Sequence, residues 1–407
     1  MKNAEYWIAL QNAVGYASVK TQRILEAFDD IAAFFRLGES AWRDLHLFTP
    51  AELKRLKETD LKKSRQILSL CRERNIGILT PEDAEYPEHL LRIKDPPAVL
   101  YVSGNLPDMD DEAGVAMVGT RKSSRSGEAA AYTLGYRLGG AGAVIISGGA
   151  VGIDTQSSRG ALDAGGRTVI VLGCGLRYPY LLKNKALRDK AAKSGAVISE
   201  FQPECQPSRY SFPIRNRLMS ALANCVIVVQ APAKSGALIT ASHALEQGKD
   251  VFAIPGDIAS IDFAGCNKIL QDGARPVYTP QDVLSEYSAV FPHKLNLENT
   301  DIPIGEDPVF LEHYQQERAQ TQKPGGSRSA PVQKPREPEL RPVPLPENAD
   351  AAMRKIYSLF TKDPVTMDIL IQSSGLAPDD VLVAVTNLQI DGCIDELPGG
   401  RFVLKWI

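Results

Sequence analysis

Between about residue 96 and residue 287 the chain repeats one pattern: a short apolar, β-branched run, a glycine or polar residue where it stops, then a helix-like stretch. The runs fall at 115–118, 144–147, 169–172, 196–199, 225–229 and 251–254. Strands this uniformly apolar have no face suited to water, so helices must cover both sides of the sheet they form. That requirement specifies an α/β fold, a Rossmann-like doubly wound parallel sheet, whose ligands bind at the carboxyl ends of the strands.

The flanks differ in texture. Residues 1–85 show helical spacing (Trp7, Ile8, Leu10 and Val14, then Ile24, Leu25 and Phe28) and predict a small SAM-like or helix-hairpin-helix-like module. Its segment 14–20, with Gly15 in the turn, resembles hairpins that offer backbone amides to a DNA phosphate or simply pack; Tyr16 and Ala17 in place of further glycine favour packing. Residues 86–290 are the α/β domain. Residues 291–347, with seven prolines between 321 and 347, predict a flexible linker. Residues 348–407 predict three helices and a hairpin turning at 398–400, a winged helix. Its last 59 residues hold five basic against eight acidic side chains, and the third helix begins Asp379-Asp380 with no lysine or arginine. A duplex backbone would repel it, which makes it a protein-interaction surface instead.

At 407 residues several domains are expected, and a net charge of −3 gives no global field toward nucleic acid, so any DNA site must be a local patch. Six scattered cysteines without a C-x-x-C pair point to a reducing compartment and away from structural zinc. With neither a signal-like leader nor a membrane-length apolar run, the expected location is cytoplasmic, with no membrane partner. Of five histidines only His243 falls in the α/β core of about 96–287; no H-E-x-x-H or G-x-S-x-G is present, so no catalytic residue, metal or cofactor is expected.

The strand ends carry the chemistry. After the first run come Gly119, Thr120 and Arg121, leading through serines into a helix, where a sharp turn, helix-start amides and a cation suit a phosphate. This is neither the dinucleotide fingerprint nor a P-loop. The second run ends in Ser147-Gly148-Gly149 and continues to Asp154, read as a helix cap. Lys234, Ser235 and Gly236 follow the fifth run and open another helix, a second phosphate site. Between them lies Arg209-Tyr210-Ser211-Phe212-Pro213-Ile214-Arg215-Asn216-Arg217, three guanidinium groups and two rings with no acid in the segment. Arginines meet phosphates with a planar fork and rings stack on unpaired bases, a combination suited to single-stranded nucleic acid. A solvated loop is the plainer alternative.

In order, 118–121, 147–154, 212–217, 235–241 and Pro255-Gly256 resemble the motifs of the DNA-processing protein A family, also called Smf. The resemblance implies an extended Rossmann core that binds single-stranded DNA without metal or nucleotide, a homodimer through that core, and loading of the RecA recombinase on incoming DNA during natural transformation. By position it implies that Gly119, Thr120, Arg121, Lys234, Ser235 and Gly236 hold phosphates. Arg209 would then contact the backbone, Phe212 stack on a base, and Arg215, Asn216 and Arg217 support the patch. The chain departs from the family at Ser157-Ser158, where Ala-His is usual, and at Gln230-Ala231, where Glu-Ala is usual. The competing reading is a Rossmann-type nucleotide phosphoribohydrolase, but Pro255-Gly256-Asp257 does not continue into the Pro-Gly-Gly-x-Gly-Thr motif of those enzymes. A third is a scaffold acting through the winged helix alone.

Overall fold

The computed structural model describes residues 3–322, 343, 345–346, 349–360, 364–391, 393–397 and 401–404. It comprises two compact units, residues 1–323 and residues 324–407.

The first unit opens with five helices, α1 (Ala4–Val14), α2 (Lys20–Ala27), α3 (Ile31–Asp44), α4 (Pro50–Lys57) and α5 (Leu61–Glu73). The starts of α3, α4 and α5 are fixed by side-chain caps: Asp30 accepts the Ala33 amide, Thr49 and Glu52 form a reciprocal capping box, and Asp60 accepts the Lys62 amide. Trp7, Ile8, Leu10, Ile24, Phe34, Trp42 and Leu56 form one apolar cluster that also takes in Ile78, Val99 and Tyr101. Those last three lie on or beside strands β1 (Gly77–Leu79) and β2 (Leu100–Gly104), which belong to the main sheet. The expected boundary at residue 85 therefore does not separate two cores, because the helical module buries its apolar face on the sheet's own edge. The glycine turn after α1 packs as well: the Ala17 amide donates to the Glu200 carboxylate at 3.0 Å, so that amide meets a protein carboxylate.

The sheet is completed by β3 (Gly114–Gly119), β4 (Val144–Ser147), β5 (Arg167–Val171), β6 (Ala196–Ser199), β7 (Cys225–Gln230), β8 (Asp250–Ala253) and β9 (Arg275–Pro276). The six runs read from sequence are β3 to β8. Strand order is β1-β2-β6-β5-β4-β3-β7-β8-β9, parallel from β6 through β9 and antiparallel at β1-β2 and β2-β6. Helices cover both faces: α6 (Glu88–Leu91), α7 (Arg125–Gly140), α8 (Ile153–Asp163), α9 (Lys185–Ser194), α10 (Ser211–Leu222), α11 (Ala237–Glu246), α12 (Ala264–Gln271) and α13 (Gln281–Tyr287). Alternate strand residues serve two separate cores, Ala116, Val118, Val226 and Val228 on one face and Val115, Met117, Cys225 and Ile227 on the other. The chain thus forms the doubly wound sheet that its apolar runs require. β3 has β4 on one side and β7 on the other, so the order reverses there and the turns after β3 and β7 flank a crevice.

Residues 291–322, expected as the start of a linker, instead fold onto this core. Phe291, Leu295, Leu297, Ile304 and Phe310 join the cluster under α7, and α14 (Pro308–Gln322) follows. Asp307, fully buried, receives two bonds from Arg137 on α7, at 2.8 and 2.9 Å. Replacing Asp307 with alanine is expected to lower stability by about 2 kcal/mol, the scale of a charge-assisted hydrogen bond, and to speed amide exchange across 308–322 ahead of the sheet; unchanged exchange there would contradict the clamp. The prolines from Pro324 to Pro344 lie outside the described residues, as does the hairpin turn 398–400.

The second unit contains α15 (Ala351–Ser358), β10 (Val365–Thr366), α16 (Met367–Ser374), α17 (Pro378–Ile390), β11 (Ile394–Leu397) and β12 (Arg401–Leu404). With β12 between β10 and β11 this is a winged helix. Met353, Ile356, Leu370, Val381, Val385, Leu388 and Phe402 form its core, while Leu382 and Val383 of α17 point outward. No single helix among the described residues is long and apolar enough to cross a membrane.

Candidate nucleic-acid interface

The turns after β3 and β7 meet around a half-open cavity of about 360 Å³ at the crevice. Gly119, Thr120, Arg121 and Lys122 form one wall, Lys234, Ser235 and Gly236 another, and Phe212, Arg215 and Asn216 the side and floor. All eleven residues singled out from sequence were expected on one edge of the sheet; the structure brings nine of them to one cavity.

Local chemistry builds each wall. Ser124 caps α7 by accepting the Gly127 amide at 3.1 Å, and Gln230 at the end of β7 accepts the Ser124 amide at 2.9 Å. The Gln230 carbonyl holds the Thr120 amide at 2.8 Å, which fixes the turn that presents Arg121. Opposite, Ser235 accepts the Ala237 amide at the start of α11, while the Thr240 hydroxyl, also in the lining, is buried without a partner among the described residues. Arg121, Lys122 and Lys234 are exposed, and none of them has an ion-pair partner among the described residues. The Arg121 guanidinium lies over the Phe212 ring, 5.0 Å from its centroid, and Tyr180 packs on Phe212 at 5.8 Å. Cation and ring, read from sequence as separate phosphate and base contacts, are thus one stacked unit.

Arg215 is fully enclosed. Its Nη1 donates to the carbonyls of Gly148 (2.7 Å) and Val171, and its Nε to Asn216 Oδ1 at 3.0 Å. A side chain on Gly148 would sit 2.2 Å from that guanidinium nitrogen, so the guanidinium fills the space that a Cβ there would need. Asn216 in turn donates to the Gly236 carbonyl at 3.4 Å, joining α10 to the α11 turn. Burial pushes the Arg215 pKa down against the pull of Asp154. Asp154 does not cap α8, whose first flanking residue is Gly152; its carboxylate accepts the Gly148 and Ala150 amides at 3.1 and 3.3 Å and so shapes the glycine turn. Burial raises its pKa, opposed by Arg215, Arg121 and those amides.

Two expected residues lie elsewhere. Arg217 is buried on the far side of α10, 2.7 Å from Glu200 and 3.3 Å from Asp95, which corrects its assignment to the patch: acids remote in sequence have taken its charge. Arg209 is exposed beside the cavity, over the Tyr210 ring at 4.7 Å, and is not part of the lining. Lys122, Tyr180 and Thr240 were not singled out. Lys122 adjoins Arg121 and was legible; Tyr180 is far from Phe212 in sequence and was not.

A family model described as "DNA recombination-mediator protein A" matches residues 77–288. The chain belongs to this family. A second model, "DprA winged helix domain", matches residues 340–400. The chain is 29% identical over 408 aligned residues to "Protein Smf" of Synechocystis, covering 99% of each. It is 38% identical over 236 residues to "DNA processing protein DprA" of Bacillus subtilis, covering 58% of this chain and 80% of that one. The X-ray structure of DNA processing protein A from Streptococcus pneumoniae superposes with a TM-score of 0.57 at 31% identity, covering 70% of this chain and 99% of that one.

Within the mediator family the chain's two departures lie in the core. Ser158 is fully buried, 2.7 Å from the Ser147 hydroxyl on β4, and Gln230 is fully buried under the α7 turn. Neither belongs to the cavity lining.

Proposed function

We propose that the cavity binds single-stranded DNA, and that this chain is a non-enzymatic recombination mediator that protects incoming strands and loads the RecA recombinase during natural transformation. The observation that carries the reading is the convergence of Arg121, Lys122 and Lys234, without ion-pair partners among the described residues, with the Arg121–Phe212 stack around one crevice of an otherwise near-neutral protein. Gly119, Thr120, Ser235 and Gly236 supply turns at helix starts, Arg215 and Asn216 the positive floor, and Arg209 a contact just outside. Phosphates offset the cations, and bases of any identity stack on the ring. The family's description as a mediator, and the relatives' as DNA-processing proteins, support it. Pairing through the core is proposed on Ile258, Ile261 and Tyr278, which stand exposed around β8 and β9. Leu382 and Val383 on the acidic α17 make the winged helix a protein-contact surface.

The lining's carboxylate, Asp154, is occupied by two amides and faces Arg215, which leaves it no role as a general base and disfavours the phosphoribohydrolase reading. Release of free base from nucleoside monophosphates would reverse that preference.

Fluorescence anisotropy of a labelled oligothymidylate against salt tests the binding. Three phosphate contacts give a log–log slope of about −2, and Lys234→Ala is expected to reduce its magnitude by about 0.7. A slope near zero, or one unmoved by Lys234→Ala and Arg121→Ala alike, would sink the proposal.

A further inference from the structure

A second cavity, of about 370 Å³, lies at the loop that follows β5. Its polar lining is almost wholly cationic: Arg74 from the end of α5, Arg177 from the loop, and Lys185 and Arg188 from α9, against the single carboxylate of Asp189. That carboxylate is engaged by Lys185 at 2.6 Å. Arg177 comes only within 3.7 Å of the exposed Glu204. Arg74 has no acidic partner among the described residues, and half-buried Arg188 donates to the Leu181 carbonyl at 3.3 Å. Burial pushes the Arg188 pKa down. Three guanidinium groups around one void, without acids to match, are mutually repulsive until an anion enters.

The loop after β5 reaches both cavities. Tyr180 on the β5 loop packs against Phe212 of the first, and Tyr178, two residues back, lines the second. Past Arg74, α5 exposes Lys62, Lys63, Arg65 and Arg72, none ion-paired among the described residues. Rings on the divide with cations beyond it are what a flexible polyanion with stackable bases uses as a track.

We propose that the second cavity is a phosphate-binding subsite for the same DNA strand: after Phe212 the strand crosses Tyr180 and Tyr178 and sets its next phosphates on Arg177, Arg188 and Arg74. The N-terminal helical module then contributes to the DNA path through the end of α5. This rests on the single-stranded DNA reading of the first cavity.

The test is the binding of oligothymidylates of about 4 and about 16 nucleotides, spanning the usual range of single-strand sites, to the full chain and to Arg74→Ala/Arg177→Ala. Both positions lie at the surface, and an unchanged thermal midpoint verifies folding. Weakening of the long oligomer by about 10-fold, a salt slope smaller in magnitude by about 1.4, and an unchanged short oligomer are expected. Equal affinity of variant and parent for both lengths, with Lys234→Ala still weakening both, overturns the subsite and leaves the first cavity's role intact. Equal weakening of both lengths also overturns it, since a general field rather than a track would be at work. Loss of binding to thymidine monophosphate without length dependence overturns it in favour of a free-nucleotide site. Insensitivity of both lengths to Lys234→Ala and Arg121→Ala is the separate failure of the DNA reading.

Discussion

Replacing Arg217 with alanine is expected to cost about 3–5 kcal/mol of folding stability, the cost of stranding buried charge. Its side chain is 4% exposed, with Glu200 at 2.7 Å and Asp95 at 3.3 Å. Glu200 also accepts the Ala17 amide, so the guanidinium joins α10, the segment before β2 and the turn after α1. Truncation leaves two enclosed carboxylates, both already raised in pKa chiefly by burial and held down by Arg217. Without it they rise further. A raised folded-state pKa contributes stability below the unfolded value that is lost as pH climbs through the folded value, so the variant's deficit should shrink under acid conditions. Urea denaturation at neutral and acidic pH measures both effects. A variant of parental stability that has lost DNA affinity would return Arg217 to the binding patch.

Phe212→Ala is expected to weaken single-stranded DNA binding by about 1–3 kcal/mol, the value of one base–aromatic stack, while Phe212→Trp keeps most of it. The ring is held from three directions: Arg121 over its face, Tyr180 at its side and Gly173 beneath, where a side chain would meet it at 2.9 Å. Held this way it costs little entropy to present to a base, and its loss also frees Arg121 from its stacked position. Equilibrium titration with oligothymidylate decides the matter. Parental affinity in Phe212→Ala would remove stacking from the mechanism, whatever the salt slope.

These residues also mark what a one-dimensional reading could reach. Strands β3 to β8 were legible because their apolar runs allow little else. β1 and β9 were not singled out, since edge strands of three and two residues carry no period, and the five-residue β2, paired antiparallel on both sides, stands outside the repeated strand–helix pattern. The end of the α/β unit was misplaced for a similar reason: the polar spacing of 291–322 hides Ile304 and Phe310, whose burial depends on α7 lying above them. Arg121, Lys234 and Phe212 could be placed on one edge because a turn that follows a parallel strand lies at its carboxyl end, and the chemistry of that turn is local to the sequence.

The chain by itself thus determined a doubly wound sheet, the carboxyl-edge position of its glycine turns and the acid character of the winged helix, all properties of residue type and spacing. Only the tertiary structure decided which of three neighbouring arginines remains available. On α10, Arg215 turns under Gly148 and Arg217 turns to Asp95 and Glu200, while Arg209, just ahead of the helix, stays in solvent over Tyr210. A buried charge goes where opposite charge or carbonyls converge, and those partners come from segments remote in sequence.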